Sequence, residues 1–119
     1  MIATGWEGVD TFIEDLDRSG AEPRLSGEHV VYVIEPAEGR WAGARVETAV
    51  EIRELAGWPL VPPQWIHLPG DVTIPVSNAR PSTIATWMKH SRWINGWGRD
   101  PDLAATWLAH VHAVAGEAR

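Results

Sequence analysis

Lys89-His90-Ser91, with Asp100 a short way downstream, puts an imidazole, a hydroxyl and a carboxylate within one stretch of chain. These are the residue types of acyl-transfer catalysis. A triad is a geometry, however, and adjacent residues rarely form one. The Gly-x-Ser-x-Gly elbow that presents a nucleophilic serine is absent. Asn78 could offer an amide to an oxyanion, but an asparagine in a loop usually serves the turn itself. His67, His90, His110 and His112 raise the question of a metal. His110 and His112 are two apart, which on a helix points them about 200° from one another, so they do not share an ion. His67 and His29 fall at strand positions, where a structural histidine is the ordinary case. No metal and no cofactor are expected: the Gly-x-x-x-x-Gly-Lys phosphate loop and the dinucleotide fingerprint are both missing. The chain has no cysteine. That excludes a thiolate nucleophile, a disulfide framework and a zinc-thiolate site.

Eight tryptophans are the other unusual resource. Trp107 falls on the apolar stripe of a helix and belongs to the core. Trp41 and Trp58 flank turns. Trp87, Trp93 and Trp97 lie close together, with Arg92 and Arg99 among them. They read either as packing beneath a long loop or as an exposed platform for a partner, since tryptophan and arginine are common interface anchors.

The elements that position these residues follow from pattern. The 119 residues, 45% hydrophobic and 22% charged, fit one globular domain over 1–119. A net charge of −6 argues against a phosphate backbone as partner. No apolar run reaches the ~20 residues of a membrane helix. The first residues lack the basic and apolar regions of a signal peptide, which makes a cytoplasmic location the expectation. Thr4 and Glu7 form a capping-box pattern ahead of a helix over residues 5–18, with Val9, Phe12, Ile13 and Leu16 on one stripe. Ser19-Gly20 ends it. Its opposite face carries Asp10, Glu14, Asp15, Asp17 and Arg18 and reads as solvated. Residues 29–35 form a strand apolar on both faces. Residues 43–53 alternate, Val46, Thr48, Val50 and Ile52 inward and Glu47, Ala49, Glu51 and Arg53 toward water. Pro59, Pro62 and Pro63 make 55–63 a loop. A short strand follows over 64–68, then an irregular stretch over 71–82 and an ambiguous one over 83–88. Asp100 as N-cap, Pro101 and Asp102 start a closing helix, with Leu103, Trp107, Val111 and Val114 at helical spacing and Gly116 as its stop. The class is α+β: helix, antiparallel meander of three to four strands, irregular segment, helix.

The order of turns resembles the ubiquitin-conjugating enzyme superfamily, over about residues 5–115. Gly39-Arg40-Trp41-Ala42-Gly43 matches that family's glycine–aromatic–glycine turn after its first strand. Trp58-Pro59-Leu60-Val61-Pro62-Pro63 matches its aromatic–proline turn with a proline pair, and Trp97 matches the tryptophan before its next helix. The run from Trp87 through Arg92 to Trp97 is similar to a divergent bacterial group. Gly39, Trp41, Gly43, Trp58, Pro59, Pro62 and Pro63 are thus the fold-defining positions that the resemblance implies.

The same resemblance places the family's catalytic cysteine near Lys89 and His90, where none exists, and its oxyanion asparagine near Asn78, without the preceding His-Pro. Ubiquitin transfer passes through a thioester. A serine ester is far less reactive and a lysine amide is a dead end, so Ser91 and Lys89 do not stand in for the thiol. Asn78, Lys89, His90 and Ser91 mark a vestigial site. The resemblance implies a non-catalytic member, cytoplasmic, that binds a protein of a bacterial ubiquitin-like system: the ubiquitin-like protein, an activating enzyme or an isopeptidase. Trp87, Arg92, Trp93, Trp97 and Arg99 are the partner-binding candidates. The rivals are a small hydrolase or other enzyme using His90, Asp100 or Asn78 at the vestigial site, and a structural subunit that dimerises through 87–97.

Overall fold

The computed structural model describes residues 6–119. Helix α1 (Glu7–Arg18) precedes a sheet of β1 (Arg24–Ser26), β2 (His29–Ile34), β3 (Val46–Glu51), β4 (Ile66–Pro69), β5 (Asn78–Pro81) and β6 (Trp87–Ser91), and helix α2 (Leu103–Ala115) follows. The spatial order is β1-β2-β3-β4-β6-β5, and every neighbouring pair is antiparallel. The α+β class, the two helices and the strands around residues 29–35, 43–53 and 64–68 agree with the sequence pattern.

The sheet is larger than expected, with six strands where the pattern suggested three to four. β1 is three exposed residues with no alternation to detect. β5 falls in the stretch expected to be irregular, where Pro75 and Pro81 obscured it. A proline is tolerated there because β5 is an edge strand and Pro81 has no amide to contribute. β6 fills the gap between β4 and β5, pairing Ile66 with His90 and Arg80 with Lys89. The segment 87–91, which the resemblance would align with the family's active-site region, is a regular strand with partners on both edges.

Two ends also differ from expectation. The N-cap of α1 is Trp6, with no side-chain cap, and Thr4 lies outside the described residues. The N-cap of α2 is Asp102, two residues later than expected. Its carboxylate accepts from the Ala105 amide at 3.0 Å, while Asp100 accepts from the Asp102 amide at 2.8 Å. Asp100 and Pro101 thus shape the turn that delivers the cap.

One sheet face carries Val30, Tyr32, Ile34, Val46, Val50, Ile66 and Leu68. It packs on Val9, Phe12 and Leu16 of α1 and on Trp107, Val111 and Val114 of α2. Trp107 lies between the layers and donates its indole N–H to the Tyr32 hydroxyl at 2.9 Å. Trp58 packs edge-on against Phe12, with centroids 4.8 Å apart, and donates to the Asp15 carboxylate at 3.1 Å. Glycine is required at position 39. Its φ is +79°, and a Cβ there would lie 2.3 Å from the Gly116 carbonyl oxygen, at the end of α2. The turn that resembles the family's glycine turn is thus seated on the closing helix, and the Arg40 amide donates to the Ala118 carbonyl at 3.0 Å.

The other face was expected to be wet along β3, and only part of it is. Glu47 is exposed, but Ala49 is fully buried and Glu51 is 5% exposed. The turn between β5 and β6 folds back over the middle of the sheet: Ser82 and Thr83 hydrogen-bond to side chains of β2, β3 and β4.

Candidate functional site

A cleft of about 720 Å³ opens where the proline turn faces the ends of β5 and β6. Val61, Pro62 and Pro63 form one wall, and Arg92, Trp93 and Ile94 the other. Asn78, Ser91 and Trp97 also line it. The proline turn holds its shape because three prolines restrict it and because Trp97 fastens it. The Trp97 indole N–H donates to the carbonyls of Pro59 and Leu60, each at 3.1 Å, and its ring lies 5.7 Å from that of Trp58. Trp97 is therefore a strut, half-buried against the core.

Trp93 is different. It is 82% exposed, and Leu60, Val61 and Val76 are other large apolar side chains left in water. Single exposed apolar residues are ordinary; here the exposed tryptophan stands at the mouth of a cleft that Val61 and Ile94 also line. Arg92 beside it is not a free anchor. Its guanidinium is bound to the Glu117 carboxylate and the Pro75 carbonyl, and its Nε donates to the Val76 carbonyl. That pairing holds the Glu117 carboxyl below the usual carboxylate range. Arg92 thus ties the segment before β5 to the end of α2.

The remaining sequence candidates separate. Asn78 and Ser91 face one another across β5 and β6 and reach the cleft. Lys89 stands over the Trp65 ring, 4.7 Å from its centroid, on the sheet face away from the helices. Trp87 is half-buried on the same strand. His90 alternates to the other face and is buried, with neither ring nitrogen hydrogen-bonded among the described residues. Burial, with the nearby His67 imidazole, pushes its pKa below the usual histidine range and keeps it neutral. Asp100 is exposed at the start of α2 and is engaged by the Asp102 amide. His90, Asp100 and Asn78 therefore do not meet as an acid–base set. Among the described residues no group of three metal-ligating side chains converges.

Sequence reasoning missed a polar network on the opposite face. His67, fully buried, lies 2.6 Å through Nδ1 from the Ser82 hydroxyl, and its Nε2 lies 3.8 Å from Glu54. The carboxylate favours a proton on Nε2, so Ser82 donates to Nδ1. Glu54 also accepts from the Gln64 and Trp65 amides, at 3.2 and 3.1 Å, and from that of Glu51 at 3.2 Å. Beside it, Thr83 donates to Glu51 at 2.9 Å and lies 2.7 Å from His29 Nε2. Burial raises the Glu51 pKa, but hydrogen bonds from Arg53 and Thr83 outweigh that and hold it low. A pocket of about 490 Å³ adjoins this network between Trp6, His29, Glu51 and Thr83.

The order Ser82–His67–Glu54 has the residue types of a triad, but its hydroxyl is built into the β5–β6 turn. Ser82 Oγ accepts the Ile84 amide at 2.9 Å while donating to the imidazole. Both hydroxyls serve to fasten the β5–β6 turn to the sheet. The only signal in the sequence was Ser82-Thr83 after a proline, which reads as turn chemistry.

Among the described residues no helix is long and apolar enough to cross a membrane. No family model, curated protein or solved structure matches the chain.

Proposed function

We propose that this chain is a non-catalytic, protein-binding domain built on a ubiquitin-conjugating-enzyme-like plan, and that it serves a ubiquitin-like modification system. The partner is the ubiquitin-like protein, its activating enzyme or an isopeptidase. The observation that carries the binding half of this reading is Trp93, 82% exposed at the mouth of the cleft between the proline turn and the end of β6. The resemblance supplies the system, and the order of β2, glycine turn, β3, proline turn and β4 after the first helix supports it, with β1 one strand more than the resemblance implied. Within that plan the cleft is bounded by the proline pair and by Asn78, Ser91 and Arg92, close to the vestigial site.

A non-catalytic role is supported by chemistry. The chain has no cysteine. Lys89 is stacked on Trp65, His90 is enclosed, and Ser91 has no imidazole within hydrogen-bond reach among the described residues. A thioester carrier needs an accessible soft nucleophile, and this segment of strand offers none.

Titration of the purified domain with ubiquitin-like proteins and with their activating enzymes and isopeptidases tests the reading, with tryptophan emission as the signal. Saturable binding that shifts the emission and is lost in Trp93→Ala is the expected result. Absence of binding to all three classes would overturn the assignment to such a system. Concentration-dependent self-association lost in the same variant would favour the dimerising-subunit alternative.

A further inference from the structure

Charge is divided unevenly along the chain. Between Asp71 and Asp100 the sequence contains four cations, Arg80, Lys89, Arg92 and Arg99, and no carboxylate. The rest of the molecule carries all the acidic groups. There most cations are neutralised: Arg18 by Asp15, Arg24 by Glu47, Arg45 by Glu22 and Glu35, Arg53 by Glu51. Of the four cations in the later stretch only Arg92 has an ion pair among the described residues, with Glu117.

The fold gathers this excess onto one surface. Arg80 and Lys89 are directly opposite in the β5–β6 register, so they project from the same face. Strand alternation places Trp87 and Ser91 on that face with Lys89, and Asn78 opposite Ser91. Two like charges held side by side without a carboxylate repel one another. An incoming anion would relieve that repulsion. The surface runs without a break into the cleft, because Asn78 and Ser91 belong to both.

We propose that the outer face of the β5–β6 hairpin and the adjoining cleft form one docking surface, and that its occupant is an acidic, apolar-containing extended segment of a protein partner. This rests on the protein-binding reading above and names the chemistry of the partner. Carboxylates would meet Arg80 and Lys89, and an apolar side chain would pack beside Trp93. A polyanionic nucleic acid is disfavoured, because two cations on this face of a domain of net charge −6 give little counterion release.

The test is fluorescence anisotropy with four labelled probes. They are a short peptide alternating glutamate and leucine, its glutamine-for-glutamate counterpart, its lysine-for-glutamate counterpart, and oligo-dT. The glutamate peptide alone is expected to bind, more weakly as salt rises. The double substitution Arg80→Glu with Lys89→Glu should weaken it roughly tenfold, since exposed pairs are each worth a few-fold and reversal doubles the effect. The substitution keeps a like-charged pair in place but removes the Lys89 ammonium from over the Trp65 ring, so a thermal melt checks that the variant is folded, and Arg80→Glu alone, which leaves that contact intact, should still weaken binding a few-fold. Equal binding of the glutamate and glutamine peptides, no binding of either, or tighter binding of oligo-dT would overturn the proposal. A ubiquitin-like partner that needs Trp93 but is indifferent to the charge reversal would overturn the acidic-segment assignment and leave the protein-binding reading standing.

Discussion

Ser82 decides whether the buried His67 imidazole is tolerable. The Ser82 hydroxyl bonds Nδ1, while Nε2 has no hydrogen bond among the described residues and only the Glu54 carboxylate 3.8 Å away. Ser82→Ala would leave Nδ1 buried without a partner, at a cost of about 1–3 kcal/mol. Urea unfolding is expected to show that loss at an unchanged m-value. An unchanged midpoint would mean that the serine does not hold the histidine. His90 presents the opposite case, a buried imidazole with no hydrogen bond among the described residues. Its pKa is depressed in the folded state by burial. The unfolded chain therefore binds the proton more readily, and His90 costs stability as pH falls below about 6.5. Melting temperature is expected to decline through that range. His90→Leu should flatten the decline and be at least as stable as the parent at alkaline pH. A steeper acid loss in the variant would contradict this.

At the scale of elements, the glycine turn and the closing helix act as one unit. Gly39→Ala meets both a left-handed φ and the Gly116 carbonyl, whereas Gly43, also at positive φ, has open space around it. Gly43→Ala is expected to cost about 1–2 kcal/mol from backbone conformation alone, and Gly39→Ala distinctly more. Chemical denaturation of the two variants measures the difference, and equal losses would deny the contact. The helices and central strands were legible in the sequence because each presents an unbroken apolar face: Val9, Phe12 and Leu16 on α1, alternation along β3, the run in β2. β5 and β6 were not legible. Their burial patterns carry no strict alternation, and their strandedness comes from pairing, β6 with β4 and β5 with β6, partners fixed only by the fold. The caps were misplaced for a related reason. Asp100 and Asp102 are equally good N-cap residues, and only the turn made by Asp100 and Pro101 selects the second.

At the scale of the molecule, the two sheet faces do different work. One is sealed by α1 and α2. The other is latched at its centre by Ser82 and Thr83 and left open at the hairpin end, where cations, Trp65 and the cleft are found. The candidate site was half legible. Trp93, one of the partner-binding candidates, is exposed at a cleft whose other wall holds the proline pair that the resemblance marked as fold-defining. Trp97 and Arg92, read with them as anchors, turn out to be struts, because their polar groups are satisfied by backbone carbonyls and Glu117. Lone residue types do not reveal whether their hydrogen bonds are made inside the molecule or are left for a partner.

Isothermal titration of the domain and of its Trp93→Ala variant with a ubiquitin-like protein tests the central claim most directly. Trp93 contributes little to the fold, so the variant should retain its stability within about 0.5 kcal/mol. Loss of a central aromatic anchor should weaken binding by about 2 kcal/mol or more, some thirtyfold in Kd. Binding by the parent with such a loss in a fully folded variant is the expected result. Parent and variant binding with the same Kd would contradict the assignment of this cleft as the partner site.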